Sequence, residues 1–218
     1  NIGYTFNQMG EYDKAIEAYD RTIELDPRYT WAYSSRGDAY SNKEDYERAL
    51  KDYTKAIVLD GRYVYALSGR AYCYRVLKVF DKAASEADKA IAADPTYAYG
   101  YAVKGLIAHD QNQWQAAKDG LDKAVSLNST TAWYYAYRGS TLTMLKQNDA
   151  AKADLDKALD LSPGYIEAYY FLGVLSEQQG KKPEAITAYR ASLNTNATTS
   201  EAKRAQKWSL DRLAELEG

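Results

Sequence analysis

The sequence predicts an all-α fold: an α-solenoid of about six helix–turn–helix units, closed by a C-terminal helix. Three observations predict it. Gly3, Gly37, Ala71, Gly105, Gly139 and Gly173 recur every thirty-four residues, and Ala15, Ala49, Ala83, Ala117, Ala151 and Ala185 recur at the same interval. Two small-residue series without a slip mean one supersecondary unit repeated along the chain, the signature of a stacked-repeat architecture. The third observation is a stop at the end of each apolar stripe, carried by Pro27, Gly61, Pro95 and Pro163.

Residues 30–63 show the unit. Thr30 to about Lys43 carries Tyr33, Gly37 and Tyr40 at helical spacing. Asn42-Lys43-Glu44-Asp45 then reads as a polar turn. From Tyr46 to Leu59, the residues Tyr46, Ala49, Leu50, Tyr53, Ala56 and Ile57 form the apolar stripe of an amphipathic helix. Asp60-Gly61 closes that second helix, Gly61 being a residue that tolerates left-handed geometry. Proline in the same place elsewhere cannot continue the helix before it. Gly37 and Ala49 lack bulk, so the two helices of a unit are expected to approach closely, and Ala56 to do the same against the next unit.

The expected units are 1–29 (without the start of its first helix), 30–63, 64–97, 98–131, 132–165 and 166–199. Departures from the pattern include Ala71 and Ala87 in the third unit, Asn128-Ser129-Thr130 closing the fourth, and Ser192 in the sixth. The tail 200–218 reads as one helix, with Ala202, Ala205, Ser209, Leu213 and Leu216 on one face and charged residues on the other. A terminal element with a polar outer side is what a solenoid needs to end in water, so the tail is expected to cap the stack, with Trp208 covering the last repeat or standing out as an anchor.

These motifs resemble the tetratricopeptide repeat (TPR) family. Its pattern of aromatic, Gly and Tyr on the first helix, then Ala, aromatic and Ala on the second, followed by Pro, is met by Tyr33, Gly37, Tyr40, Ala49, Tyr53 and Ala56, with Gly61 in place of the proline. Tyr169, Leu172, Gly173, Ala185 and Tyr189 match in the last unit, and the likeness covers residues 1 to about 199. The resemblance implies a right-handed superhelix whose first helices line a concave groove. With Gly37 as the eighth residue of its unit, the groove would be formed by the second, fifth, sixth, ninth, twelfth and thirteenth residues.

The second residues are Trp31, Tyr65, Tyr99, Trp133 and Glu167. Tyr72, Tyr137, Tyr170 and Phe171 add rings from the other rungs. One reading is an aromatic groove that grips a peptide or protein segment, since aromatics give large contact area at low entropy cost. The other is that the rings pack on adjacent repeats. Ser34, Ser35, Asp38, Asn42, Arg75, His109, Asp110, Glu177 and Gln178 are the polar members of the same rungs. One TPR subgroup clamps the C-terminal carboxylate of chaperone peptides with Asn at the ninth position of two successive repeats. Here those positions hold Asp38, Tyr72, Leu106, Ser140 and Val174, so that clamp is not expected. At the seventh position Arg36, Arg70, Lys104 and Arg138 form a basic ladder, read either as a track for an acidic partner or as cations paired with nearby Asp and Glu.

Composition bounds the function. Twenty-eight basic and thirty acidic side chains leave a net charge of -2, which gives no global electrostatic case for a nucleic-acid partner. No apolar run reaches the ~18 residues of a membrane span. No secretory signal is visible, and because the chain opens at Asn1 within a repeat, it is read as a soluble fragment from which a targeting segment could be missing. Cys73 is alone and cannot form an internal disulfide. His109, the one histidine, adjoins Asp110, but neighbours on a helix do not face each other, and no nucleophile is placed beside them. One His and one Cys cannot build a structural zinc site, and there is no glycine-rich phosphate loop. Asn128-Ser129-Thr130 and Asn196-Ala197-Thr198 fit the glycosylation triplet, a pattern frequent by chance. A non-enzymatic interaction scaffold without metal or cofactor is therefore expected, with candidate partner-binding residues Trp31, Tyr65, Tyr72, Tyr99, Trp133, Tyr137, Tyr170, Phe171, Arg75 and His109. Two alternatives stand beside it. One is self-assembly through an N-terminal edge carrying Ile2 and Phe6; the other is the recruiting arm of a longer catalytic protein.

Overall fold

The computed structural model describes residues 2–218. They form thirteen α-helices with no strand among the described residues: α1 Ile2–Gln8, α2 Tyr12–Leu25, α3 Thr30–Asn42, α4 Tyr46–Leu59, α5 Val64–Val76, α6 Phe80–Ala93, α7 Ala98–Asp110, α8 Trp114–Leu127, α9 Ala132–Met144, α10 Asn148–Leu161, α11 Ile166–Gln178, α12 Lys182–Leu193 and α13 Ser200–Glu217. The fold is the all-α helical-repeat class that the spacing predicts. The chain divides into two compact units, residues 1–107 and 108–218.

Two kinds of turn alternate. After each leading helix the chain passes through one left-handed residue: Gly10, Glu44, Lys78, Asn112, Lys146 and Gly180, with φ between 59° and 75° and spaced by thirty-four. The amide three residues past the last helical residue reaches back to a carbonyl inside the helix, as in Asp45 N–H to Tyr40 (2.9 Å), Val79 to Tyr74 (2.8 Å) and Gln147 to Leu142 (2.9 Å). This is the Schellman closure, which satisfies carbonyls that the helix end would orphan. The return turn differs from the expectation for Gly61, which is not left-handed. There Asp26, Asp60, Asp94 and Asn128 each accept, through Oδ1, the backbone N–H two residues on, at 2.8–3.0 Å. A side chain that imitates a backbone turn removes the need for a glycine conformation.

In the first compact unit the core is centred on Tyr53 of α4, 2% exposed, with Ala49, Ala56, Ala66 and Cys73 around it. The Tyr53 ring rests against two glycines. A Cβ on Gly37 of α3 would lie 2.9 Å from it, and one on Gly69 of α5 only 2.5 Å. Tyr19 sits on Gly3 in the same way. In the second compact unit Leu155 packs on Gly139 and Tyr189 on Gly173. The small-residue series thus exists because a large side chain from the second helix of a pair needs the space that a Cβ would fill. Tyr33, Tyr135 and Tyr169 fasten leading helices to the turn before them, donating to the carbonyls of Pro27, Ser129 and Pro163 at 3.0–3.2 Å.

Candidate functional site

The first unit carries a run of rings along the starts of its leading helices. Tyr63, Tyr65, Tyr97 and Tyr99 follow one another at centroid separations of 5.5, 5.1 and 6.2 Å. Tyr65 is 55% exposed, and Tyr99 is half-buried. Trp31 is also half-buried, edge-on to Tyr19 at 5.5 Å and tilted against Tyr29 at 5.8 Å. So the second-position rings pack against neighbours and still keep solvent access. Tyr72 is half-buried with the Arg75 guanidinium over its ring at 4.9 Å.

In the second unit Trp133 stands edge-on to Tyr134 and Tyr137, and Tyr137 in turn to Phe171 at 5.4 Å and to His109 at 5.8 Å. All four of Trp133, Tyr137, Phe171 and His109 are half-buried. His109 is further held by Trp114 at 5.3 Å and by a 3.2 Å hydrogen bond between Nε2 and the Ser140 hydroxyl. The imidazole is thereby built into an aromatic cluster. Its approach to Asp110 is no closer than 4.0 Å, which is no base–orienter pair.

Several expected members of the face are placed otherwise. Arg75 is 6% exposed, a packed cation with its guanidinium over the Tyr72 ring and not an open contact. Tyr170 lies under α13, its ring 5.4 Å from Trp208 and 5.9 Å from Tyr189, because α13 takes the place that a next leading helix would occupy. Ser34 and Ser35 are buried. Glu177 is committed to α13 by two hydrogen bonds from Arg212 and to α12 by one from the Tyr189 hydroxyl.

The basic ladder is paired with carboxylates, its arginines in largely buried sites and Lys104 at the exposed surface. Arg36 donates to both oxygens of Asp52 at 2.7 Å and to Asp20 at 2.5 Å. Arg138 does the same to Asp154 and Asp122, Arg70 to Glu86, and Lys104 to Asp88. Arg36 and Arg138 each join the second helix of their own pair to that of the preceding pair. These side chains are staples between repeats and leave no cationic track for an acidic ligand.

Sequence reasoning put Asp38 among the polar residues of the groove but could not see its partners. Asp38 accepts a 2.7 Å hydrogen bond from the Tyr53 hydroxyl. Its carboxylate keeps solvent access on one side, yet protein crowds it on the others, and that desolvation outweighs the Tyr53 bond and pushes its pKa up to about 6. Burial raises Tyr19 and Cys73 to about 12, with the Asp38 charge adding to both. Cys73 is a fully buried thiol kept in its neutral form. Among the described residues there is no cluster of potential metal ligands and no helix long and apolar enough to cross a membrane.

Family models described as TPR repeat and tetratricopeptide repeat match residues 3–43, 30–63 and 142–208, together more than half of the chain. The chain belongs to the tetratricopeptide repeat family. A solved tetratricopeptide repeat protein from Parabacteroides merdae is 17% identical, with 95% of this chain and 81% of that one covered at a TM-score of 0.74. Cut9, in its complex with Hcn1, is 18% identical at a TM-score of 0.83; the match takes in 96% of this chain but 42% of that one. YrrB is 23% identical, with 88% and 99% covered and a TM-score of 0.56. A comparison with curated proteins gives no match. At these identities the structures show a shared fold, the all-α TPR solenoid. Proteins of this family are protein-interaction scaffolds and are generally non-catalytic.

Proposed function

We propose that this TPR chain is an interaction scaffold that binds an extended or helical segment of a partner protein along the aromatic face of its leading helices. The observation that carries this reading is the Tyr63–Tyr65–Tyr97–Tyr99 ring series, tilted at its first contact and edge to face at the next two, with Tyr65 more than half exposed. A ring fixed by its neighbours presents large contact area with little entropy left to lose, which is the profile of a binding anchor. Trp31 adds a second anchor in the same compact unit, and Trp133 with Tyr137 and Phe171 a separate patch in the other. The basic ladder being internally paired, binding energy comes from apolar area and depends weakly on salt. YrrB, a TPR protein with an unusual peptide-binding site, supports the class of ligand.

The test is selection of a random dodecapeptide display library on the wild-type chain, with counter-selection on a Trp31→Ala/Tyr65→Ala/Tyr99→Ala variant whose helicity is checked by circular dichroism. Peptides enriched on the wild type should lose about 2 kcal/mol or more on a variant lacking a central ring. Equal recovery on both proteins refutes the reading.

Self-association is a second reading, favoured by the exposure of Ile2 (71%) and Met9 (64%) beside half-buried Phe6. Light scattering of the wild type and an Ile2→Ser/Met9→Ser variant decides it. A mass that stays monomeric at high concentration rejects self-association.

A further inference from the structure

We propose that Asp38 and the tyrosines around it form a subsite for a basic side chain, so that the partner segment carries a lysine or arginine opposite α3. The inference rests on the binding face proposed above and names the chemistry of one contact within it.

Three observations converge on this position. Asp38 is a solvent-accessible carboxylate that takes part in none of the ion pairs of the described residues, while Asp20 and Asp52 nearby in sequence are both held by Arg36. Its hydrogen bond is from a neutral phenol, Tyr53, which leaves its charge uncompensated. Next, the wholly buried Tyr19 hydroxyl lies beside the Ser35 hydroxyl, with Asp38 within electrostatic reach. The groups around the carboxylate are thus neutral hydroxyls, and no cation of the described residues acts on it.

The third observation is register. The ninth residues of successive leading helices are Tyr4, Asp38 and Tyr72, so the carboxylate falls between two tyrosines in the repeat. Tyr4 is 54% exposed. At the Tyr72 rung the chain supplies its own cation, Arg75 stacked on the ring. One rung earlier the carboxylate stands at the ninth position, and Ser41 occupies the place of Arg75, so no cation of the chain is supplied there. A cation over an aromatic face beside a carboxylate gains from the ring quadrupole and the charge together. An acidic segment is disfavoured by the same carboxylate.

The selection already described separates this inference from the reading beneath it. Wild-type binders are expected to share a lysine or arginine at one position, and Asp38→Asn is expected to lose that preference while still selecting the apolar positions. For a synthetic peptide of the enriched sequence, replacing the basic residue with norleucine should weaken binding to the wild type about tenfold and leave binding to Asp38→Asn unchanged. The second readout is pH. Tyr19, Tyr63 and Cys73 are raised to about 12 and burial holds Tyr53 well above its ordinary value, so Asp38 is the group of this cluster that titrates near 6. The basic peptide should weaken between pH 7 and 5, and its norleucine form should not. Binders that lack a common basic position, or a norleucine peptide that binds as well as its parent, overturn the subsite and leave the aromatic face standing. Equal recovery on the ring-deleted variant overturns both.

Discussion

Gly69→Ala tests the packing rule on which the repeat is built. The added methyl would lie 2.5 Å from Tyr53 Cζ, 2.6 Å from Cε1 and 2.8 Å from the hydroxyl oxygen. Carbon atoms prefer separations of about 3.5–4 Å, so the ring must retreat by about 1 Å. It has little freedom to do so. The same ring edge already rests on Gly37, the side chain is 2% exposed, and its hydroxyl is tied to Asp38. Overpacking of this kind costs about 1–3 kcal/mol, against which Ala in place of Gly returns up to about 1 kcal/mol of helix propensity. The expected net loss is about 1–2 kcal/mol, or a Tm lower by roughly 2–8 °C for a chain of this size. Thermal unfolding followed by circular dichroism measures it. Gly61→Ala is the control, because its nearest neighbour is a carbonyl oxygen at 3.9 Å and its backbone is not left-handed. In a double-mutant cycle, Tyr53→Leu should absorb most of the Gly69→Ala penalty. If Gly69→Ala is as stable as wild type while Tyr53 stays in place, the close-approach argument is wrong.

Arg36→Met strands Asp52, whose carboxylate is nearly buried, and should cost about 2–4 kcal/mol in chemical denaturation. Arg36→Met/Asp52→Leu should recover most of that loss, since replacing both partners by apolar groups is often neutral. At the other end, the Arg212 hydrogen bonds first, and the Tyr189 hydroxyl with them, hold Glu177 below its usual pKa. Its folded value lies under the unfolded one of about 4.3, so its contribution is complete above that pH and is lost as pH falls through the folded value. The protection factors of the α13 amides, taken against the intrinsic rate at each pH, should therefore fall below about pH 4 in the wild type, and Arg212→Ala should show low protection already at pH 7.

Helix positions and the reason for Gly37 and Ala49 were legible from periodicity alone, because a thirty-four-residue interval leaves one way to phase the apolar stripes. Three features were not legible. Glu44, Lys78, Asn112 and Lys146 adopt left-handed backbone as Gly10 and Gly180 do, and nothing in their residue types announces it. Arg36 and Arg138 face their carboxylates across sixteen residues in both directions, a spacing with no local signal. Arg75 shares its register position with half-buried Ser41 and His109 yet is itself buried on Tyr72, and Tyr170 puts a large ring against Trp208 at a position that elsewhere holds buried Ser34, Ser68, Ala102 and Ala136. Register says which rung a side chain joins; the neighbouring helix decides whether it is covered.

By itself the sequence determined the class, the phase of the repeat and the presence of a ring series, since these depend on which residues recur and how far apart. Tertiary structure alone decided which charges are already paired, which rings retain access to water, and that Asp38 stands accessible without a cation beside it. The physical reason is distance. Hydrophobic periodicity is written within one helix, whereas the pairing and desolvation of a polar group depend on atoms contributed by helices far away in the chain.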